Sequence, residues 1–301
     1  MSLEALKAYL DSLPPEARAE AKKAVRNYAY SLDPILWARD VLEVTLDPWQ
    51  RQLVSTPAGS RAIALTHRQA GKTTAASVAL SHQMTFGTAG FTNLVIAPTA
   101  RQSGEVVRRT RQFLVKAGAK LLSDNAFSLV LPSGSRVLGL PGSDDASIRG
   151  LSVEGLLVED ESARCSDALY EAATPMLLRH AKTSRLMLLS TAWAAHGHFY
   201  KIWSEGDEKD WRKIQAFIQD CSHLTPEQIE RERRSMPANV FAREYEGQFD
   251  QTDSRFFSLT SIDDAFGGVI DTVPEPLRAE ADPERVIERG RAFSNPFGAA
   301  A

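Results

Sequence analysis

Cysteine is nearly absent from this sequence, and so is any long apolar run. Two cysteines, Cys165 and Cys221, in 301 residues exclude a disulfide framework and are too few for a thiolate metal site; they suit a reducing compartment. No window reaches the roughly eighteen uninterrupted apolar residues that a membrane-spanning helix needs. The start, "MSLEALKAYLDSLPPEARAE", carries acids early and lacks the apolar stretch of a secretory leader, so a soluble intracellular protein is predicted. An excess of either charge is also missing. The formal net charge is −3, which excludes a chain that is basic throughout but leaves room for local basic patches. There is no internal repeat, and no low-complexity tract beyond a terminal "GAAA". What is present in quantity is apolar residues, 43% of the chain, enough for one large domain or two modest ones.

The apolar residues change rhythm along the chain. Over residues 3–31, Leu3, Leu6, Leu10 and Leu13 recur at helical spacing, with a break at Pro14-Pro15. Asp33-Pro34 and Asp47-Pro48 each set a capping residue before a proline suited to the first helical turn, which predicts helices over 34–43 and 48–55. From residue 61 the pattern becomes short apolar runs separated by helical stretches. Strands are predicted at 61–66, 92–99, 153–158 and 185–190, with helices to about residue 84 and over 102–117. "AFSLVLPSGSRVLGLPG" predicts a hairpin turning at Pro132-Ser133-Gly134. Thr225 and Gln228 have capping-box spacing, predicting a helix over 226–236, and a second helix follows near 238–247. Strands alternating with helices imply an α/β fold with a mainly parallel sheet covered on both faces. The expected organisation is an N-terminal helical region (1–45), a domain over 46–250 with a small helical lid at about 200–250, and a loosely ordered, proline-interrupted tail over 251–301.

The chemistry concentrates at "LTHRQAGKTTAA". A strand, a tight turn and a helix N-terminus together favour an anion, because free backbone N–H groups and the helix dipole converge there. In a phosphate-binding loop, Gly71 lets the backbone approach the phosphates, Lys72 reaches the β and γ phosphates, and the Thr73 hydroxyl serves Mg²⁺. By itself Gly-Lys-Thr is a short motif, and a surface lysine at a helix start is the plainer reading. The acids Glu159-Asp160-Glu161 after Leu156-Leu157-Val158 strengthen the functional one. Carboxylates at a strand's end can hold a metal and orient a water, which assigns Asp160 to the metal and Glu161 to the water, with Glu159-Asp160 as the alternative pair. Ser190-Thr191 end the last apolar strand, where a hydroxyl can sense the γ-phosphate. In the segment 101–120, Arg101, Arg108, Arg109, Arg111, Lys116 and Lys120 form a basic set that suits phosphate contact as well as it suits a solvated face. His196 and His198 lack a third ligand nearby and read as loop residues, while Phe199, Tyr200 and Trp203 read as a core anchor.

In their order these segments resemble the large terminase subunit of tailed bacteriophages over roughly residues 45–257. "LDPWQRQLV" is similar to that family's adenine-side motif and "HRQAGKTT" to its variant phosphate loop. The resemblance continues through "LVIAPTARQSGE", "LPSGSRVLGLPGSDDASIRGLSVEGLLVEDES", "LLSTAWAAHGHFYKIW" and "FAREYEGQFDQ". It implies a RecA-like P-loop NTPase of the ASCE type that hydrolyses ATP with Mg²⁺. Trp49 and Gln50 would lie near the base, and Arg68, Gln69, Ala70, Gly71, Lys72, Thr73 and Thr74 around the phosphates. Arg68 would act on its own ATP and Arg149 on that of a neighbouring subunit, either one neutralising transition-state charge. The resemblance further implies a homo-oligomeric ring acting on double-stranded DNA without sequence preference. The expected partners are a capsid portal protein and a small terminase subunit, in the host cytoplasm and transiently at the portal, with no membrane. Thr66 and His67 in place of a glycine, Ala192 in place of a proline, and Glu159 depart from the family pattern. A nuclease domain, on the order of 150 residues, is not expected in the fifty or so that follow Asp250, despite Asp263, Asp264 and Asp271. The rival readings are a helicase-type translocase, which normally carries a second RecA-like domain, and a non-hydrolysing nucleotide-dependent adaptor.

Overall fold

The computed structural model describes residues 7, 9, 11–142, 150–218 and 225–250. A compact unit ends at Asp250, and Gln251–Ala301 form a second unit that lies outside the described residues. So do Leu3, Leu6, Leu10, Arg149, Cys221 and the tail aspartates Asp263, Asp264 and Asp271.

Eight strands form one sheet: β1 (Arg61–Thr66), β2 (Thr92–Ala97), β3 (Ser123–Asn125), β4 (Ser128–Val130), β5 (Arg136–Pro141), β6 (Leu156–Asp160), β7 (Arg185–Ser190) and β8 (Arg212–Ala216). Their order is β3-β4-β5-β2-β6-β7-β1-β8, with only the β3-β4-β5 edge antiparallel. The helices are α1 (Pro15–Leu32), α2 (Pro34–Asp40), α3 (Pro48–Val54), α4 (Lys72–Phe86), α5 (Ala100–Lys116), α6 (Asp167–Ala173), α7 (Gly197–Glu205), α8 (Pro226–Ser235) and α9 (Ala238–Tyr245). Asp33 accepts hydrogen bonds from Ile35 N and Leu36 N at the start of α2, and the Thr225–Gln228 capping box opens α8.

Both sheet faces are covered, and the pleat sorts the side chains. Ala62, Ala64, Val95, Leu156, Val158, Met187 and Leu189 face one layer, which contains α3 and α4. Ile63, Leu65, Leu94, Ile96, Leu157, Leu186 and Leu188 face the other, with Leu169 of α6 and Phe199 of α7. Period-two alternation thus runs through strands that read as continuous apolar stretches. Burial continues through polar helix positions, because Ser77 and Ser81 of α4 find carbonyls at Val106 and Ser77 (3.2 and 2.6 Å), letting α5 pack closely.

Three expectations change. The strand expected at 153–158 runs Leu156–Asp160 and carries two acids inside its ladder, since Asp160 pairs in register with Leu189. β8 lies inside the stretch expected to be a helical lid. Its basic residues hid it, but Ile214 and Ala216 are buried and it extends the sheet beside β1. The helix expected at 34–43 ends at Asp40.

Asn93 shows how tightly the centre is specified. It is fully buried on β2; its Nδ2 donates to Arg136 O (3.0 Å) and its Oδ1 accepts from Leu156 N (2.8 Å), joining both neighbouring strands. Asn93→Leu orphans a buried N–H and a partly buried carbonyl and should cost about 2–4 kcal/mol of stability. Urea unfolding should show a lower midpoint at unchanged slope; an unchanged midpoint would contradict this bridging role.

Candidate functional site

The phosphate loop spans β1 and α4, and backbone conformation shapes it before any ligand does. Gln69 and Gly71 both take left-handed conformations, with φ of 63° and 88°. The positive φ favours glycine at 71, and a Cβ there would stand 2.6 Å from Gln50 Nε2 and push that amide aside. Gln50 Nε2 donates to Ala70 O (3.3 Å) and Gly71 O (3.2 Å), while its Oε1 accepts from Asp47 N at 2.9 Å. Gln50 is therefore a brace beneath the loop. Trp49, expected near a base, is buried in the core on the short helix α3. The loop's other flank is fixed by Arg68 N donating to Glu244 O at 2.7 Å. The exposed Arg68 and Gln69 line a cavity of about 310 Å³ with Gln228, Arg231, Glu232 and Tyr245.

Pleat parity separates the three acids. Leu156 and Val158 face the α4 layer, so Asp160 does too, whereas Glu159 points to the opposite face with Leu157. Thr73 donates its hydroxyl to Asp160. Burial, then the charge of neighbouring Glu161, pushes the Asp160 carboxyl up to about 6, against the pull of Lys72 and these hydrogen bonds. Glu161 leaves the strand in a left-handed conformation, φ 54°, which returns its side chain to the loop. There Lys72 Nζ lies 3.4 Å from Glu161 Oε1, the lysine side chain only 8% exposed. Of the three acids, Asp160 and Glu161 face the loop and Glu159 faces away from it.

Glu159 meets His198 instead. His198 Nε2 is 3.1 Å from Glu159 Oε1 and Nδ1 is 3.2 Å from Asp167 Oδ1, with Ser162 Oγ 3.0 Å from Nε2 and Tyr170 stacked on the ring. Burial alone would lower the His198 pKa, but the two carboxylates outweigh it and raise it. His198 is thus an interior residue of α7, where a loop position was expected. Cys165, close by, is a free thiol whose pKa is raised by burial and by Glu159, which keeps it unreactive.

Ser190 and Thr191 are buried at the end of β7, between β1 and β6, and Ser190 Oγ accepts from Ala163 N at 3.2 Å. The basic segment is largely paired within the chain. Arg108 meets Glu105, Arg111 meets Asp124, Lys116 meets Glu43, and Arg109 Nη1 donates to Thr74 Oγ1 at 2.7 Å. Sequence alone gave His198 no site role, because its partners lie 31 or more residues away; Arg109, read only as one of the basic set, meets Thr74 from 35 residues away. Lys72, Thr73, Asp160 and Glu161 come together as expected from the sequence; Arg149 lies outside the described residues.

The geometry is that of a phosphate loop facing an acid pair across one intervening strand. The family profile described as "Terminase large subunit, T4likevirus-type, N-terminal" matches residues 63–264. The chain belongs to the terminase large-subunit family. Its function is accordingly that of a DNA-packaging motor subunit. The terminase chain is similar in fold to the Thermus phage P74-26 large terminase ATPase domain, with TM-score 0.59 and 21% identity over 70% of this chain and 97% of that one. It is also similar to the HK97 bacteriophage large terminase (TM-score 0.59, 16% identity, 73% of this chain and 55% of that one). A third similar structure is the large terminase of a thermophilic bacteriophage in complex with ATP-gamma-S (TM-score 0.53, 16% identity, 67% and 52%). The terminase chain thus spans about half the length of the HK97 protein and of the thermophilic-phage protein. No curated protein matches it. Among the described residues no helix is long and apolar enough to cross a membrane.

The raised Asp160 pKa makes a stability statement. Its folded value, about 6, exceeds the unfolded value, so Asp160 favours the fold at low pH and that contribution is lost as pH rises through about 6. Asp160→Asn should therefore melt about 2–5 °C higher than wild type at pH 7 without nucleotide or metal, the gap closing towards pH 4. A lower melting temperature at pH 7 would contradict this account of the buried carboxyl.

Proposed function

We propose that this terminase chain hydrolyses ATP at the Lys72–Asp160–Glu161 site and couples turnover to movement of double-stranded DNA into a capsid. The observation that carries the reading is the buried Lys72 ammonium 3.4 Å from Glu161, with the Thr73 hydroxyl on Asp160. A lysine at a helix N-terminus beside two strand-end carboxylates suits a polyphosphate better than any neutral ligand.

The residues divide the work. The loop, held open by Gly71 and braced by Gln50, offers the N–H groups from Gly71 to Thr74 to the phosphates, and Lys72 neutralises charge on the β and γ groups. The oxygen donors of Thr73 and Asp160 fit a hard cation, and a buried carboxylate with a raised pKa gains most from one. Magnesium bound there supplies charge neutralisation on the phosphates. Glu161, on leaving its salt bridge with Lys72, orients and deprotonates the attacking water. Arg68 at the loop, or Arg149 reaching in from a neighbouring subunit, neutralises charge on the transferring group, which makes a homo-oligomeric ring part of the proposal. Ser190 registers the γ-phosphate through its bond to the turn after Glu161. DNA is gripped through its phosphates without base reading, with a capsid portal protein and a small terminase subunit as partners at the portal in the host cytoplasm.

Lys72→Ala and Glu161→Ala should each lower ATP turnover at least about 100-fold, measured as phosphate release from the full chain at high protein concentration. Normal turnover in either variant would sink the site assignment. Wild-type strand displacement on a forked duplex would favour the helicase reading over packaging.

A further inference from the structure

Trp193 follows Ser190, Thr191 and Ala192 directly, yet the hydrolysis scheme above gives it no task. Two guanidinium groups lie over its indole: Arg164 Cζ is 4.1 Å from the ring centroid and Arg243 Cζ is 4.7 Å. Two like charges over one ring need neutralising. Glu244 supplies this, its side chain 9% exposed and its Oε1 3.9 Å from Arg164 Nη2 and 3.5 Å from Arg243 Nη2. Asp250 adds a carboxylate 3.6 Å from Arg243 Nη1.

Each member of this cluster belongs to a different working segment. Arg164 sits in the 3-10 turn after the acids, and its backbone N donates to Glu161 O at 2.9 Å. Glu244 is the α9 residue whose carbonyl accepts from Arg68 N in the phosphate loop at 2.7 Å. Trp193 O accepts from Asp250 N at 2.7 Å, and Ala195 N donates to Asp250 O at 2.8 Å, at the last residue of the compact unit. One aromatic ring therefore gathers the water-orienting turn, the loop's outer flank and the chain's point of departure. A cation held over an aromatic face resists sideways displacement because the quadrupole attraction falls off steeply away from the ring.

We propose that Trp193 is a positioning residue for hydrolysis: its ring holds Arg164 against Arg243 and Glu244, so that Glu161 and the phosphate loop keep their relative placement. The inference rests on the ATPase reading of the Lys72–Glu161 site. Trp193 need not touch the nucleotide, so the effect falls on the chemical step and not on binding.

The test compares wild type, Trp193→Ala, Trp193→Phe, Arg164→Gln and Lys72→Ala as full-length proteins. Steady-state ATP turnover is measured together with the affinity for a fluorescent ATP analogue. Trp193→Ala should lower kcat about tenfold while nucleotide affinity stays within about twofold. Trp193→Phe, which keeps a ring face, should recover most of the loss. Arg164→Gln removes a partly exposed cation and leaves the core intact, so it should lower kcat in the same way, and it decides the matter if Trp193→Ala does not fold. Wild-type kcat in Arg164→Gln or in folded Trp193→Ala overturns the inference, as does a loss carried wholly by weaker binding. If wild type turns over ATP no faster than Lys72→Ala, the ATPase reading itself falls and the inference with it.

Discussion

A buried ammonium facing two carboxylates is the constraint on which the rest of the molecule depends. Withdrawing charges from water costs several kcal/mol per ion unless partners are placed well. Lys72, Asp160 and Glu161 meet that condition only because three backbone features coincide: a left-handed Gly71 opening α4, a left-handed Glu161 closing β6, and β7 between their strands. The pair is close without being ideal, and Asp160 remains costly to ionise. That residual cost is what a bound polyphosphate and its cation can relieve, since each brings the opposite charge to one half of the site.

The same strand that presents Asp160 to the loop presents Glu159 to the far side, a direct result of the two-residue repeat. Each acid acquired its own partner: Lys72 for Glu161, Thr73 for Asp160, His198 for Glu159. What looked in one dimension like a run of redundant acids is a division of charge between two layers. α7 and α6 are joined to the strand through His198 and Asp167, which ties the segment after β7 to the back of the acid strand.

Much of this could be read in the sequence. Strands with strong apolar runs, such as Arg61–Thr66 and Arg185–Ser190, were legible to the residue, and so was the capping box at Thr225. The loop lysine and its acids were legible because the chemistry demands those residue types in a strand-turn-helix setting. β8 escaped because three of its five residues are polar and its stability comes from pairing with β1, a contact with no local signal. The charge of the basic segment is plain in one dimension, while Glu43 and Thr74, which engage Lys116 and Arg109, are remote in sequence. Gln50's bracing of the loop had no local signal either, because Ala70 and Gly71 lie 20 and 21 residues away.

Gln50 sets a limit on how far the chain can be trimmed. Its amide ties the helix preceding β1 to residues 70 and 71, and its carbonyl oxygen secures residue 47 at the head of that helix. A fragment cut to start at residue 63, where the family profile begins, would keep the loop's lysine and both of the acids that face it, but nothing beneath the loop. The smallest autonomous piece must therefore reach back past residue 47, and the short helical preface is part of the machinery it precedes.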